Sequence, residues 1–389
     1  MSASQLDLRN ILDQMVAMGA SDLHVKVGAA PTLRIDGVLY GLDETPCTAD
    51  DLDRLLSEIL TLEQMEIFGR ELELDCAVSV PGLARFRVNL SKQRSTLGIS
   101  FRLVATRIPS LEELLLPPKL GDLIREPRGL LLVTGATGVG KSTTMASMIE
   151  HLNQTETKKV VAIEDPIEYL HRDRRCIIYQ REVGDDTHSF HHGLRNILRQ
   201  DPDVVLIGEI RDRESLDTAL TAANTGHLVL TSLHTIDAVQ SIQRILSYYA
   251  PHEQNEVRRT LADNLVGIVS QRLVGKIGGQ GRVPAVEIMI NTPSAKDYIL
   301  DPNKTSLIRK LVQEGVTQYG SQSFDQALVA LFHQGVISED DAIRHASRPN
   351  EVKLHLQGVS GSSDRAFSAA ELPKADEKDE LKLPDWLEQ

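Results

Sequence analysis

The sequence predicts an α/β protein in which a small α+β domain precedes a larger domain built on a parallel sheet. Two observations carry this. From residue 129 onward, four short apolar runs, 130–134, 160–164, 204–209 and 228–233, alternate with stretches of helical spacing. Continuous apolar runs of this length are strands buried on both faces, and strand–helix alternation builds a parallel sheet. Before residue 107 the strand-like segments instead alternate apolar and polar side chains, as half-buried strands do. The length of 389 residues suits two domains at roughly 100–200 residues each.

Taken in order, residues 1–107 form the first expected domain. Residues 6–18 have helical spacing and stop at Gly19. Asp22-Leu-His-Val-Lys-Val alternates like a strand, and 32–37 reads as a strand followed by a turn. Residues 49–60 and 62–68 have helical spacing, while 84–90 and 98–104 alternate, which places Arg85 and Arg87 on one face of the first and Arg102 on one face of the second. Pro109, Pro117, Pro118 and Pro127 punctuate 108–128, expected as a linker with one short helix at 111–115. Residues 129–350 make the second domain, whose stretch from about 252 to 346 is expected to be helical, with apolar periodicity at 257–273 and 324–332. Residues 351–389 are expected as a disordered acidic tail.

Composition narrows the partners. At 41% hydrophobic and 25% charged, the chain has an ordinary globular composition. A net charge of -13 argues against a surface built for phosphodiester backbones, so no nucleic acid is expected. No run of about 18 apolar residues is present to span a membrane, and the first residues lack the layout of a signal peptide. Cys47, Cys76 and Cys176 are far apart and form no CxxC, which points to a reducing cytoplasm rather than to disulfides or zinc.

The chemistry centres on Gly135-Ala136-Thr137-Gly138-Val139-Gly140-Lys141-Ser142-Thr143, a G-x-x-x-x-G-K-[ST] loop. An apolar strand precedes it and a helical pattern at 143–152 follows, the order a phosphate cradle needs. The glycines let backbone N–H groups converge on phosphate, Lys141 supplies positive charge, and the Ser142 hydroxyl is placed to ligate Mg²⁺. Two acids end apolar runs: Glu164, in Val161-Ala-Ile-Glu-Asp-Pro-Ile-Glu168, and Glu209, closing Asp203-Val-Val-Leu-Ile-Gly-Glu. Each alone fits an N-cap or surface ion pair as well as catalysis. His234 ends a fourth run. Ligands of open α/β sheets sit beyond the carboxyl ends of the strands, so four strand ends converge on one nucleotide.

Together these stretches resemble the secretion ATPase superfamily, and within it the type IV pilus retraction ATPases, PilT and PilU. Four boxes match: the Walker A loop at 135–143, the aspartate box Glu164-Asp-Pro-Ile-Glu-Tyr169, the Walker B at 203–209 followed by Ile210-Arg211-Asp212, and the histidine box Thr225-Gly-His227-Leu-Val-Leu-Thr-Ser-Leu-His234-Thr235. Ser21-Asp-Leu-His24, Arg85-Phe-Arg-Val-Asn89 and Gln180-Arg-Glu-Val183 are smaller matches. The resemblance implies a PAS-like N-terminal domain and a RecA-like P-loop ATPase domain with a helical C-terminal region. It implies a homo-hexamer hydrolysing ATP with Mg²⁺, cytoplasmic and peripheral to the inner membrane at the pilus base. It further implies an inner-membrane platform protein as partner and, in PilU-like members, a second retraction ATPase. Glu164 would be the general base, Ser142 and Glu209 would hold Mg²⁺, partly through water, and His227 and His234 would couple nucleotide state to domain position. Arg85, Arg87 and Arg102 would reach the γ-phosphate in the ring.

Other candidates stay open at this level. Arg195 and Arg199 are spaced i, i+4 on a helix expected at 190–200, which suits either a catalytic pair of cations or a solvated face. Arg272, in Ser270-Gln-Arg-Leu, is a further family candidate. His188, His191 and His192 beside Asp185 and Asp186 look like a metal cluster on paper, but they lie on a loop leading into a helix and no ligand geometry follows. His171-Arg-Asp-Arg-Arg175 is expected as a solvated loop. The chain departs from the PilT pattern at Ser294-Ala-Lys-Asp-Tyr-Ile-Leu-Asp301, where PilT proteins carry an arginine-bearing Ala-Ile-Arg-Asn-Leu-Ile-Arg-Glu helix. The large extra N-terminal domain and four-cysteine metal site of pilus assembly and type II secretion ATPases are missing, which favours retraction over those alternatives.

Overall fold

A computed structural model describes residues 6–357 apart from 36, 43, 44, 106 and 280. The expectation of a tail therefore lies outside the described residues from 358 on, while 351–357 carry the end of a helix. The chain divides into two compact units, Met1–Arg107 with Glu168–Leu170, and Ile108–Ile167 with His171–Gln389.

The first unit holds a six-stranded antiparallel sheet: β1 (Asp22–Lys26), β2 (Thr32–Ile35), β3 (Val38–Gly41), β4 (Glu73–Val80), β5 (Ala84–Gln93) and β6 (Thr96–Leu103), in the order β3-β2-β1-β6-β5-β4. Helices α1 (Leu8–Ala17), α2 (Ala49–Ile59) and α3 (Leu62–Glu71) belong to the same unit. Asp7 caps α1, and capping boxes Thr48/Asp51 and Thr61/Gln64 start the other two. Alternation sorts the sheet faces. Leu23, Leu33, Val88 and Phe101 are fully buried, and Phe86 meets Phe101 edge to face at 6.4 Å between ring centroids. The opposite face is polar. Along it Arg34, Asp22, Arg102 and Arg87 stand in one cross-strand row, with His24, Ser100, Asn89 and Asp75 in the next. The strands expected at 22–27, 32–36, 84–90 and 98–104 are present; β3 and β4, which lie at the two edges, were not anticipated.

The second unit carries a seven-stranded sheet, β7 (Gly129–Thr134), β8 (Lys159–Glu164), β9 (Ile177–Glu182), β10 (Val204–Ile207), β11 (Leu228–Leu233), β12 (Leu265–Gly275) and β13 (Arg282–Ile290), ordered β13-β12-β7-β11-β10-β8-β9. Every pairing is parallel except β12–β13. Neighbouring side chains go to opposite cores. Leu130, Leu132, Val161, Ile163, Val205, Ile207 and Val229 face one, and Leu131, Val133, Val160, Ala162, Val204, Leu206 and Leu230 face the other. Both faces are apolar, so these strands read as continuous runs.

Among the described residues, twelve α-helices and a short 3-10 helix, Thr305–Leu307, complete this unit. In order the α-helices are α4 (Lys119–Leu123), α5 (Lys141–Thr155), α6 (Phe190–Ile197), α7 (Arg213–Asn224), α8 (Ala238–Ser247), α9 (Gln254–Asn264), α10 (Pro293–Leu300), α11 (Ile308–Glu314), α12 (Val316–Tyr319), α13 (Phe324–His333), α14 (Glu339–His345) and α15 (Pro349–Leu356). No helix among the described residues is long and apolar enough to cross a membrane.

The structure departs from three expectations. The stretch 108–128 is no free linker: Leu111, Leu116, Leu120, Leu123 and Ile124 are buried in the second unit's core. Its helix starts after Pro118 rather than at 111, because Leu115 takes a left-handed φ of 53° ahead of Pro117 and Pro118. The stretch 257–273, expected to be helical throughout, turns into β12 at Leu265, and β12–β13 form a hairpin closing one side of the sheet. Its β-branched residues and near-complete burial suit a strand paired on both sides.

Candidate active site

The site assembles where four parallel strands end. Beyond β7 the chain turns through the phosphate loop, in which Gly138 and Gly140 take left-handed φ values of 78° and 88°. Gly135 is required for a second reason: a Cβ there would lie 2.8 Å from the Gln271 carbonyl oxygen. Helix α5 follows at once, and its N-cap Gly140 makes no side-chain capping bond. The first-turn N–H groups of α5 thus have no side-chain cap to compete with an anion, the usual basis of phosphate binding at a helix N-terminus. Behind the loop, Gln271 donates to Thr144 Oγ1 at 2.7 Å and Thr134 donates to Ser270 Oγ at 2.9 Å, both buried. The Ser270-Gln271 part of β12 therefore braces the loop from the neighbouring strand.

A chain of polar contacts links the strand ends. Lys141 Nζ donates to the carbonyls of Gly135 and Ala136 at 2.9 and 3.0 Å, and lies 3.3 Å from His234 Nδ1. An ammonium can only donate, so Nδ1 accepts and the His234 proton sits on Nε2, 2.8 Å from Glu209 Oε2. Glu209 Oε1 pairs with Arg211, whose other arm reaches Asp165 Oδ2 at 3.0 Å. The route therefore runs from the end of β7 through β11 and β10 to the loop after β8. Burial opposes charge on Glu209, but hydrogen bonds from His234 and Arg211 and the Arg211 cation outweigh it and hold the carboxyl below its ordinary value. Glu164, half-buried at the end of β8, accepts from Gln180 Nε2 at 3.2 Å. Ser142 and Glu209 offer hard oxygen donors, the class Mg²⁺ takes.

The remaining candidates are scattered. His227 precedes β11 and contacts the Ala222 carbonyl at 3.0 Å and Thr225 Oγ1 at 3.2 Å. Seven residue steps of strand, roughly 23 Å, separate it from His234, so one chain does not bring the two histidines together. Helix α6 ends at Ile197, ahead of left-handed Asp201 and Pro202, and Arg199 lies beyond it. Leu198 keeps helical dihedrals and Arg199 N–H donates to the Asn196 carbonyl at 3.2 Å, a tighter last turn beyond exposed Arg195. Arg199 sits near the start of β8, since the adjoining Gln200 carbonyl accepts from Lys159. The Arg272 guanidinium lies 3.8 Å from the Phe324 ring centroid and donates to the His345 carbonyl.

In the first unit, Arg85 donates to Ser79 Oγ at 3.1 Å, Arg102 pairs with Asp22 at 2.7 Å, and Arg87 is its cross-strand neighbour. The His188 and His192 rings meet edge to face at 5.4 Å, and His191 pairs with Glu214 at 3.2 Å. No metal-holding group of three or more His, Cys, Asp or Glu occurs among the described residues. In the loop at 171–175, residues 172–175 are exposed as expected, while the His171 ring is buried 3.8 Å from Glu150. Arg211 and Gln180 are the site residues that motif reading passed over. Their positions, directly after Glu209 and in the short 180–183 match, were the available signals.

The type II/IV secretion system protein family model matches residues 3–346. The PilU type IV pilus ATPase of Pseudomonas aeruginosa is 39% identical over 93% of this chain and 95% of its own length. The PilT retraction ATPase of the same organism is 40% identical over 88% and 99%. A crystal structure of the pilus retraction motor PilT with bound ADP superposes with a TM-score of 0.82 at 40% identity, covering 90% of this chain and 99% of that one. With its phosphate loop, Walker B glutamate and histidine-box His234 joined at the strand ends, the chain belongs to the type II/IV secretion system protein family and is one of its PilT/PilU-type ATPases.

Proposed function

We propose that this protein is a hexameric ATP-hydrolysing motor of the type IV pilus that powers retraction and twitching motility. The observation that carries the reading is the polar chain from Lys141 through His234, Glu209 and Arg211 to Asp165, which joins four strand ends around the phosphate loop. In the proposed cycle the α5 N-terminus and Lys141 hold the β- and γ-phosphates of ATP. Mg²⁺, held by Ser142 and through Glu209, would supply charge neutralisation of the transferring phosphoryl group. Glu164 takes the proton of the attacking water. His234, between Lys141 and Glu209, registers the loss of the γ-phosphate charge. Arg85, Arg87 and Arg102 close on the phosphates in the assembled ring and stabilise charge in the transition state. The motor sits on the cytoplasmic side at the pilus base, acts on a membrane-embedded platform protein, and is joined by a second retraction ATPase if it is the PilU-like partner.

The test combines chemistry with biology. The purified chain should hydrolyse ATP at a rate per subunit that rises with protein concentration, and a deletion strain should lose twitching while keeping surface pili. Loss of surface pili instead would assign the motor to assembly. Concentration-independent turnover would reject the shared ring site.

A further inference from the structure

The segment after Glu164 makes an unusual excursion. Ile167 belongs to the second unit, Glu168–Leu170 cluster with the first, and His171 is back in the second. Within the first unit the excursion is fastened beside β6: Leu170 N–H donates to the Ala105 carbonyl at 3.1 Å, and Tyr169 and Ala105 form a parallel β-bridge. Its two ends are fastened within the second unit by one strand. Ile167 N–H donates to Glu182 Oε2 at 3.2 Å, and His171 N–H donates to Gln180 Oε1 at 2.9 Å. Gln180 and Glu182 are two apart on β9 and so share a face.

Gln180 does more than hold the return of the chain. Its Nε2 donates to Glu164 Oε1 at 3.2 Å. The donor and acceptor halves of one amide are thus used in opposite directions, the oxygen toward the excursion and the nitrogen toward the acid. The register agrees: β9 pairs with β8 in parallel, with Gln180 opposite Ala162 and Glu182 opposite Glu164. Only a Gln-sized amide meets both demands. A carboxylate has no donor for Glu164, and an aliphatic chain has neither donor nor acceptor.

We propose that Gln180 is the positioning residue of Glu164, orienting the carboxylate through its N–H while its carbonyl ties that orientation to the backbone at His171, where the chain returns from the first unit. The inference rests on the reading of Glu164 as general base. The excursion then acts on catalysis without touching nucleotide: displacement of 168–170 moves His171, His171 moves the amide, and the amide turns the carboxylate.

Two variants of the full-length protein separate positioning from mere support. Gln180→Glu keeps an acceptor for His171 N–H and loses the donor to Glu164; Gln180→Met loses both. Each should bind a fluorescent ADP analogue normally, which also reports folding. Both should lower kcat roughly tenfold or more, within the range that small misplacements of reacting groups cost, and leave KM for ATP within about twofold. Combined with Glu164→Gln, either substitution should change the residual single-turnover rate by less than about twofold, because the residue acts through the missing carboxylate. If Gln180→Glu turns over like wild type while Gln180→Met is slow, Gln180 only supports the loop and the proposal falls. If the losses multiply in the Glu164→Gln background, Gln180 acts by another route and the proposal also falls. Near-wild-type turnover by Glu164→Gln alone overturns the base assignment, and with it this inference. A dead Glu164→Gln beside two fully active Gln180 variants overturns the inference only.

Discussion

The two sheets bury themselves differently, and their chemistry follows from that. In the seven-stranded sheet both faces of the central strands are covered, so side chains along the strands are spent on packing and only the strand ends remain for chemistry. Its candidate groups are accordingly few and terminal, and five of them, Lys141, His234, Glu209, Arg211 and Asp165, are joined in one polar chain. In the six-stranded sheet one face is packed and the other polar, so charged side chains stand along the strands in cross-strand rows, such as Arg34, Asp22, Arg102 and Arg87. A parallel sheet concentrates its chemistry at the ends of its strands, whereas a half-covered antiparallel sheet spreads cations over a surface. The proposed division of labour is that the first builds the nucleotide site and the second delivers charge to it.

The comparison breaks first at the strand ends. Glu164→Gln should keep nucleotide affinity and lose about 100-fold or more of ATP turnover, since a carboxamide cannot take the water proton; steady-state assays beside ADP-analogue titration check this. Lys141→Ala should lose affinity as well as turnover, because it removes binding charge present in both ground and transition states. If the two substitutions gave the same kinetic signature, binding and proton transfer would not be divided between β7 and β8 as proposed.

The polar face is probed next. Arg87→Ala and Arg102→Ala should leave nucleotide binding near normal and lower kcat by about 10-fold or more, in keeping with the effect of an arginine supplied to a phosphoryl group. Mixing either with inactive Glu164→Gln protein should recover measurable turnover if sites are shared between subunits. Asp22→Asn sharpens the result. Burial opposes the Asp22 charge, but hydrogen bonds from Ser21 and Arg102 hold its carboxyl below the ordinary value. Loss of this pair should cost stability while sparing kcat. Equal kinetic loss in Asp22→Asn and Arg102→Ala would make Arg102 a structural partner only.

The smallest effects concern backbone. Gly129, at the start of β7, has φ +123°, and a Cβ there would meet the Asn264 carbonyl oxygen at 2.6 Å. Gly82, in the turn between β4 and β5, has φ +75° with nothing within 4 Å of the added atom. Alanine at Gly82 should cost about 1 kcal/mol from backbone strain alone, and at Gly129 about 3 kcal/mol or more. Thermal unfolding of the two variants measures the difference; equal shifts would mean that the packed sheet relaxes as easily as the surface turn.

How much could be read beforehand follows from the same contrast. The central strands β7, β8, β10 and β11 were legible because two covered faces leave an unbroken apolar run. Edge strands were not: β4 and β9 mix exposed and half-buried positions, the one buried residue of β9 is the acid Glu182, and their sequences carry too little apolar signal. The β12 strand was legible as apolar but not as extended, since a short run does not separate strand from helix. In the site, residues that end strands, Glu164, Glu209 and His234, announced themselves by position. Gln180 and Arg211 act through partners 16 and 46 positions away in the chain, and such pairings exist only once strands lie side by side. The separation of His227 from His234 followed from β11 itself, because a strand between two residues of one motif holds them apart.

The excursion at Glu168–Leu170 bears on how such motors can be recombined. A graft of residues 6–107 between relatives would transplant a unit in which the bridge partner of Ala105, Tyr169, is encoded some sixty residues later. Chimeras that move 168–170 with the first segment should remain active where simple fusions at 107 fail. The unit of inheritance for this part of the molecule is thus a discontinuous stretch of gene, with its second piece beginning four codons after that for Glu164.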